Sequence, residues 1–431
     1  MRIVEIRLRA IGRISSALII AAVSFTSCRT TDSRPVLSFS GSSLGPEAAV
    51  VRRQLDRFAT QHPQVRVELR VTPDAADQRH QLYVQWLNAR SPVPDVLQLD
   101  VVWTAEFAAA GWILALDRFA PDATDFVPAA LHASRWRGTL YALPWFVDVG
   151  LLYFRTDLVR DAPMSLTRLE EAARQSLTTG ETPFGLVWTG ARYEGLITVF
   201  VEYLAAFGGG ILSDEGRVIV DEPNAVEALS RMCREITDGM VPKAALNWRE
   251  EEARLAFQNG QAVFMRNWPY AWSLLQEPAQ SRVAGRVAAA PFPGVEGHEP
   301  VAALGGAQLA VNAHSAQPQL AFALAQFLTA PEQMLERAQL AAQLPARRSL
   351  YDNEALERVL PIPMRVLRRA LDAAIPRPVT PVYSELSEIL QVSLHRALSG
   401  QQPPATALAE AAANMRALLS RSGLAGDAST R

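Results

Sequence analysis

Apolar and polar positions along this chain follow two rhythms, one of period two and one of helical spacing. Val36, Leu37 and Phe39 form a short apolar run that ends at Gly41-Ser42-Ser43. From 47 to 58, Val51, Leu55 and Phe58 then recur at helical spacing. Val65, Val67, Leu69 and Val71 alternate strictly with polar residues, the signature of a half-buried strand. Strand, helix and strand in succession predict a βαβ unit and a parallel sheet. The pattern continues with a helix at 77–89, a strand at 96–99 and a short helix from Thr104. After Tyr141 a second series begins, with strands predicted at 149–154, 184–188, 262–265 and 287–290. Helices are predicted between them at 166–177, 194–206 and 224–238, the last opened by Pro223, and a further strand at 307–311. From Gln317 the chain reads as mostly helical, at 318–328, 331–342, 363–375, 384–398 and 405–419. Two α/β series predict two lobes. Open α/β sheets bind ligands beyond the carboxyl ends of their strands, so a groove is expected between the lobes.

The first residues have a different character. Arg2, Arg7, Arg9 and Arg13 precede an apolar run at 14–25, too short to span a bilayer as a mature helix and suited to a signal-peptide core. Thr26 and Ser27 stand directly before Cys28, which resembles a bacterial lipobox in which Cys28 is lipidated and becomes the mature N-terminus. The other reading is a plain signal peptide that contains a cysteine. Both predict export. Residues 29–35 are polar and fit a tether. Cys233 lies in an apolar-periodic segment with Leu229 and Ile236, where a buried inert thiol is expected.

Composition narrows the function classes. The chain has 431 residues, of which 49% are hydrophobic and 20% charged, the balance of a large-cored globular protein. With 42 basic against 44 acidic side chains, net −2, it carries no electrostatic footprint for nucleic acid. Two cysteines exclude a disulfide scaffold or a cysteine-rich metal site. The six histidines form no His-x-x-x-His pair and no Glu-x-x-His face, so no metal is expected, and no other cofactor. There is no Walker A loop, so ATP hydrolysis is left to a partner.

Polar and aromatic residues gather where the predicted strands end. Glu47 opens the first helix, the strand at 96–99 runs into Asp100, and Phe146 and Asp148 lie in an apolar stretch. Residues 266–272 hold Trp268, Tyr270 and Trp272 beside Arg266 and Asn267; Gly305-Gly306 precedes a strand; Arg347-Arg348 lies between helical segments. Acids, an arginine and flat rings are what a pyranose requires. Its CH face stacks on aromatic rings, and its hydroxyls both donate to carboxylates and accept from guanidinium. Singly, each residue has a plainer reading: a cap or turn for Asp, core for Trp, a permissive turn for Gly-Gly, the helix dipole for Glu47. Their joint placement points to carbohydrate.

The blocks 95–103 (Asp-Val-Leu-Gln-Leu-Asp-Val-Val-Trp), 110–117, 143–148, 187–195 (ending Tyr-Glu-Gly), 200–203 and 266–272 resemble extracellular solute-binding proteins of sugar ABC importers. Within that family they are most similar to trehalose/maltose-binding proteins. The resemblance runs from about Val36 to Leu419. It implies an α/β, two-lobed periplasmic-binding-protein fold (type II) with a hinged cleft. The implied N-lobe is 36–145 plus 307–345 and the C-lobe 150–303 plus 350–420, after a signal peptide at 1–27 and a tether at 28–35, with a flexible tail at 421–431. Crossings between lobes are expected near 144–150, 303–306 and 344–349. The implied ligand-binding residues are Glu47, Asp100, Phe146, Asp148, Trp268, Tyr270, Gly305, Gly306 and Arg347, with Cys28 as the lipidation site. Phe146 stands where relatives often have Tyr, which implies a lost hydroxyl contact with stacking kept, and Ala307 stands where they have Trp, which implies a different or larger sugar.

The resemblance also implies a monomer that captures a di- or oligosaccharide at the membrane surface, in the periplasm or at the cell surface, and delivers it to ABC permease subunits. A module feeding a sensor is the alternative. An exported glycosidase would need two flanking carboxylates, for which Glu47, Asp100 and Asp148 are candidates. No independent acid/base signature accompanies them, so no catalytic residue and no enzymatic activity are expected.

Overall fold

The computed structural model describes residues 33–41, 47–73, 76–360 and 362–424. The expected signal peptide, Cys28, most of the tether, the Gly-Ser turn after Gly41 and the end of the tail lie outside them. Among the described residues thirteen strands are formed: β1 (Val36–Gly41), β2 (Arg66–Val71), β3 (Val96–Asp100), β4 (Arg135–Trp136), β5 (Thr139–Leu140), β6 (Ala142–Val149), β7 (Leu151–Arg155), β8 (Phe184–Val187), β9 (Ala262–Asn267), β10 (Val287–Ala290), β11 (Ala302–Val311), β12 (Leu344–Pro345) and β13 (Ala374–Ile375).

They build two main sheets. A seven-stranded sheet has the order β12-β6-β11-β3-β1-β2, with β13 added beside β11, and a four-stranded sheet has the order β10-β7-β9-β8. β1 pairs in parallel with β2 and β3, as the βαβ pattern requires. β2 is the edge strand, which leaves Val67 and Leu69 only half-buried and Val71 exposed. The other half of the large sheet is antiparallel, because β11 returns from the second lobe and enters between β3 and β6. An all-parallel sheet is therefore not what forms.

The sheets meet at the β6–β7 junction and at the start of β11. β6 lies in the large sheet and β7 in the small one, and only Gly150 separates them. The Gly150 N–H donates to the Ala303 carbonyl at the start of β11, 3.0 Å away. Along β7 the side chains alternate between two cores: Leu151 and Tyr153 join the cluster of Phe39, Trp145 and Leu309, while Leu152 and Phe154 join that of Phe200, Leu229 and Leu390. This alternation makes the lobe junction a continuous packed body.

The C-terminal segments differ from expectation. Leu350, Leu356, Met364 and Leu367 are buried in the first cluster, which holds Leu275, Val283 and Val287 of the second lobe as well as residues of the large sheet. The helix expected through 375 stops at Asp372, because Ala374–Ile375 find free backbone groups beside Ala302–Ala303 and pair with them. Tyr383–Leu398 and Pro404–Arg421 join the second core. The helix Glu250–Gln258 was not predicted; three glutamates fill its first turn, and of its buried residues only Ala253, Ala256 and Phe257 are apolar. Among the described residues no helix is long and apolar enough to cross a membrane.

Cys233 is half-buried, and burial pushes its thiol up to about 11. A thiolate-selective reagent at neutral pH is expected to leave Cys233 unmodified in the folded protein and to label it after unfolding, read by peptide mass spectrometry. Equal labelling in both states would show an open thiol.

Candidate functional site

Strand register assembles the site. Directly paired residues in a sheet point their side chains to the same face. Ala307 pairs with Asp100 on one side and Phe146 on the other, and Gly305, two residues along, pairs with Asp148. Asp100, Phe146 and Asp148 thus share one face at the end of the large sheet. Pro345 of β12 continues the Phe146 rank. β1 runs parallel to β3, so the helix Glu47–Gln61 that follows β1 starts at the same end of the sheet as Asp100.

The second lobe contributes Trp268, directly after β9. A Cβ added at Gly305 would lie 3.3 Å from the Asp148 Cβ and 3.3 Å from two atoms of the Trp268 six-membered ring. The missing side chain at 305 is what lets the indole lie against the Asp148 strand. Gly306 has φ +112°, and any Cβ there would overlap the Phe146 carbonyl. Gly306→Ala therefore combines backbone strain with overlap. It is expected to cost about 2–4 kcal/mol of stability, read as a lower denaturation midpoint; an unchanged midpoint would show that the turn relaxes freely.

The acids are placed differently. Asp148 lies near two buried tyrosines, Tyr153 and Tyr351, whose phenol pKa values are raised by burial and by its negative charge. The Tyr153 hydroxyl donates to the Trp268 carbonyl at 2.8 Å, fixing the backbone from which the indole projects. Asp100 is partly open to solvent; its Oδ1 accepts from the Val102 N–H at 3.2 Å and faces the Arg377 Nη2 at 3.5 Å. Arg377 is buried, and its Nη1 donates to Glu194 Oε1 at 2.6 Å. Glu194, at the first turn of the helix Glu194–Ala206, also accepts from the hydroxyls of Tyr383 and Ser387. One guanidinium thus links a carboxylate of the large sheet with one of the second lobe.

The arginine expected at the site was Arg347, and here the structure differs. β12 ends at Pro345, opposite Phe146, and the chain then runs away from Asp148. The Arg347 guanidinium is taken up by the Thr329 carbonyl at 2.8 Å, Asp125 at 3.5 Å and the face of Phe126. Arg377 is the arginine that meets Asp100. Its signal in the sequence is Pro376-Arg377-Pro378, a cation held between two prolines after a helical segment.

The remaining expected residues are Phe146, Tyr270 and Glu47. Phe146 is half-buried and packs on Trp145. Tyr270 is 37% exposed and donates to Glu251 Oε1 at 2.7 Å, so its hydroxyl is occupied within its own lobe. Glu47 is the first residue of its helix. No cluster of three or more potential metal ligands occurs among the described residues.

This geometry has relatives. The family profile described as bacterial extracellular solute-binding protein matches residues 41–335. A probable ABC transporter-binding protein of Deinococcus radiodurans is 32% identical over 385 residues, 86% of this chain and 91% of that one. The maltose-bound structure of Thermotoga maritima MalE3 superposes with a TM-score of 0.79 at 38% identity, covering 89% of this chain and all of the other. The GacH receptor of Streptomyces glaucescens, solved free and with acarbose, gives 0.77 at 25% identity over 90% and 99% of the two chains. With more than half its length matched by the profile, and the two-lobed architecture in place, this chain belongs to the bacterial extracellular solute-binding proteins.

Proposed function

We propose that this protein captures a glucose-based di- or oligosaccharide of the maltose or maltotriose type and hands it to an ABC permease. The observation that carries the reading is the placement of Asp100 and Asp148 on one face of the large sheet, with the Trp268 indole of the second lobe packed over Gly305 beside them. A sugar ring stacked on the indole would bring its hydroxyls to carboxylates that only accept. Arg377 pairs with both Asp100 and Glu194 and so holds the carboxylates of the two lobes in register. Maltose in the Thermotoga relative and the maltotriose-binding protein of Pyrococcus abyssi, 26% identical over 185 residues, support this ligand class. Ala307 stands between Asp100 and Phe146 in one rank, so no large side chain separates the two. Glu47 and Tyr270 complete the proposed contacts, with the Gly305-Gly306 backbone beside the ring. Export and surface retention follow from family membership and from the reading of Cys28 as a lipid-modified N-terminus. We take the working unit as a monomer, its lobes dividing at Gly150 and at the start of β11.

Thermal-shift and calorimetric titrations with maltose, maltotriose, trehalose and sucrose test the reading. An unfolding temperature raised by maltose or maltotriose is expected, since a ligand that binds only the folded state stabilises it. No shift and no heat with any glucan would refute it. Arg347→Ala is expected to leave affinity within about twofold, because its guanidinium is engaged elsewhere. Binding lost in that variant would return Arg347 to the site. The protein is expected to release no glucose from maltotriose on prolonged incubation; release would make it a hydrolase.

A further inference from the structure

A second ion pair lies behind the site, and none of the proposed sugar contacts uses it. Glu202 and Arg266 are both fully buried and meet in a bidentate pair, Nε to Oε2 at 2.6 Å and Nη2 to Oε1 at 2.9 Å. We propose that Glu202 and Arg266 are positioning residues that lock the Trp268 platform to the two strands crossing between the lobes, an inference that rests on the reading of Trp268 as the sugar's stacking surface.

The geometry supports each link. Glu202 Oε1 also accepts from the Ala303 N–H at 2.9 Å, and Ala303 in turn accepts from the Gly150 N–H. A Cβ at Gly150 would overlap the Glu202 carboxylate and lie 2.5 Å from the Arg266 Nη2, so the pair is pressed against the backbone of the crossing. On its other side, the Arg266 guanidinium carbon sits 4.2 Å from the centre of the Trp268 ring. The indole edge beyond it faces Gly305 and Asp148. Hinge backbone, carboxylate, guanidinium and indole therefore form one column leading to the sugar face.

Stability alone does not explain such a pair. A desolvated ion pair often stabilises no more than apolar residues of equal volume. What it adds is direction: the bidentate fork fixes the guanidinium plane, and the plane fixes the ring stacked on it. The third hydrogen bond, to Ala303, ties that orientation to the hinge. A change of lobe angle at Gly150 then carries Trp268 with it, and a ring held against Trp268 biases the angle. Both residues act through Trp268 and the hinge, not by touching ligand.

The discriminating variant is Arg266→Lys, which keeps the charge opposite Glu202 and loses the flat stacking surface. Its unfolding temperature without ligand is expected to stay close to wild type while affinity for maltotriose falls at least about tenfold. A second readout needs no sugar: the near-ultraviolet dichroism of Trp268, taken as the difference from Trp268→Phe, is expected to collapse in the Arg266→Lys background. In a Trp268→Ala background, Arg266→Lys is expected to cost no further affinity. Unchanged affinity and an unchanged Trp268 signal in Arg266→Lys would overturn the proposal. So would an equal loss with and without Trp268. Should Arg266→Lys fail to fold, the double variant Glu202→Met/Arg266→Met, apolar and of similar volume, carries the same comparison. If the wild type binds no glucan, the ligand assignment fails, and the dichroism difference still decides the coupling.

Discussion

Arg377→Met is expected to reduce sugar affinity by about 10²–10³-fold, the largest loss of any single substitution considered. The side chain is buried and reaches two carboxylates from different parts of the fold, Asp100 at the end of β3 and Glu194 at the start of its helix. Burial by itself would weaken the guanidinium as a base, but Tyr383, Glu194 and Asp100 outweigh it and its pKa is raised. It therefore stays charged at any working pH. Removing it leaves Glu194 partly buried with only hydroxyl donors from Tyr383 and Ser387, and breaking one side of a buried pair costs about 3–5 kcal/mol. Part of that loss is expected in the unfolding temperature of the free protein. Calorimetry of Arg377→Met and Arg377→Lys separates the effects: the lysine variant should recover stability through its charge but only part of the affinity, since a compact ammonium lacks the planar fork that spans both acids. Wild-type affinity in Arg377→Met would remove Arg377 from the site.

Trp268→Ala is expected to weaken binding by about 10–100-fold with little change in the unfolding temperature of the free protein. The indole is half-buried in the free structure, its remaining face being the one a sugar would cover. Covering a ring of this size is worth about 1.5–3 kcal/mol, which converts to the affinity change stated. The fold loses little because the backbone at 268 is held independently, by the Tyr153 hydroxyl on its carbonyl and by Asn267 Oδ1 on its N–H. Titration heats and ligand-free melting curves check the two halves. A large fall in melting temperature with unaltered affinity would make Trp268 a core residue.

The element types were legible because they depend on local period and punctuation. The alternation at 65–71 marks β2, and Pro223 marks the start of its helix. Asp100 and Asp148 were legible because each interrupts an apolar run near a strand end, and Gly305 as half of a Gly-Gly pair, which the structure places inside β11 and not before it. What the sequence hid is long-range register. The direction of β11 depends on the chain first visiting the second lobe, and nothing between 302 and 311 records that route. Arg347 and Arg377 both sit beside prolines late in the chain, and only the pairing of Pro345 with Phe146 decides which reaches Asp100. Glu202 was visible as a lone acid among Phe200, Val201, Tyr203 and Leu204. Its partner, Arg266, is 64 positions away and is identified by the fold alone.

Co-crystallisation with maltotriose puts the proposed grip to the most immediate trial. Density for a glucose ring against Trp268, with hydroxyls at Asp100 and Asp148, is the expected outcome. A ring bound on another surface, or an empty cleft under saturating sugar, would contradict it.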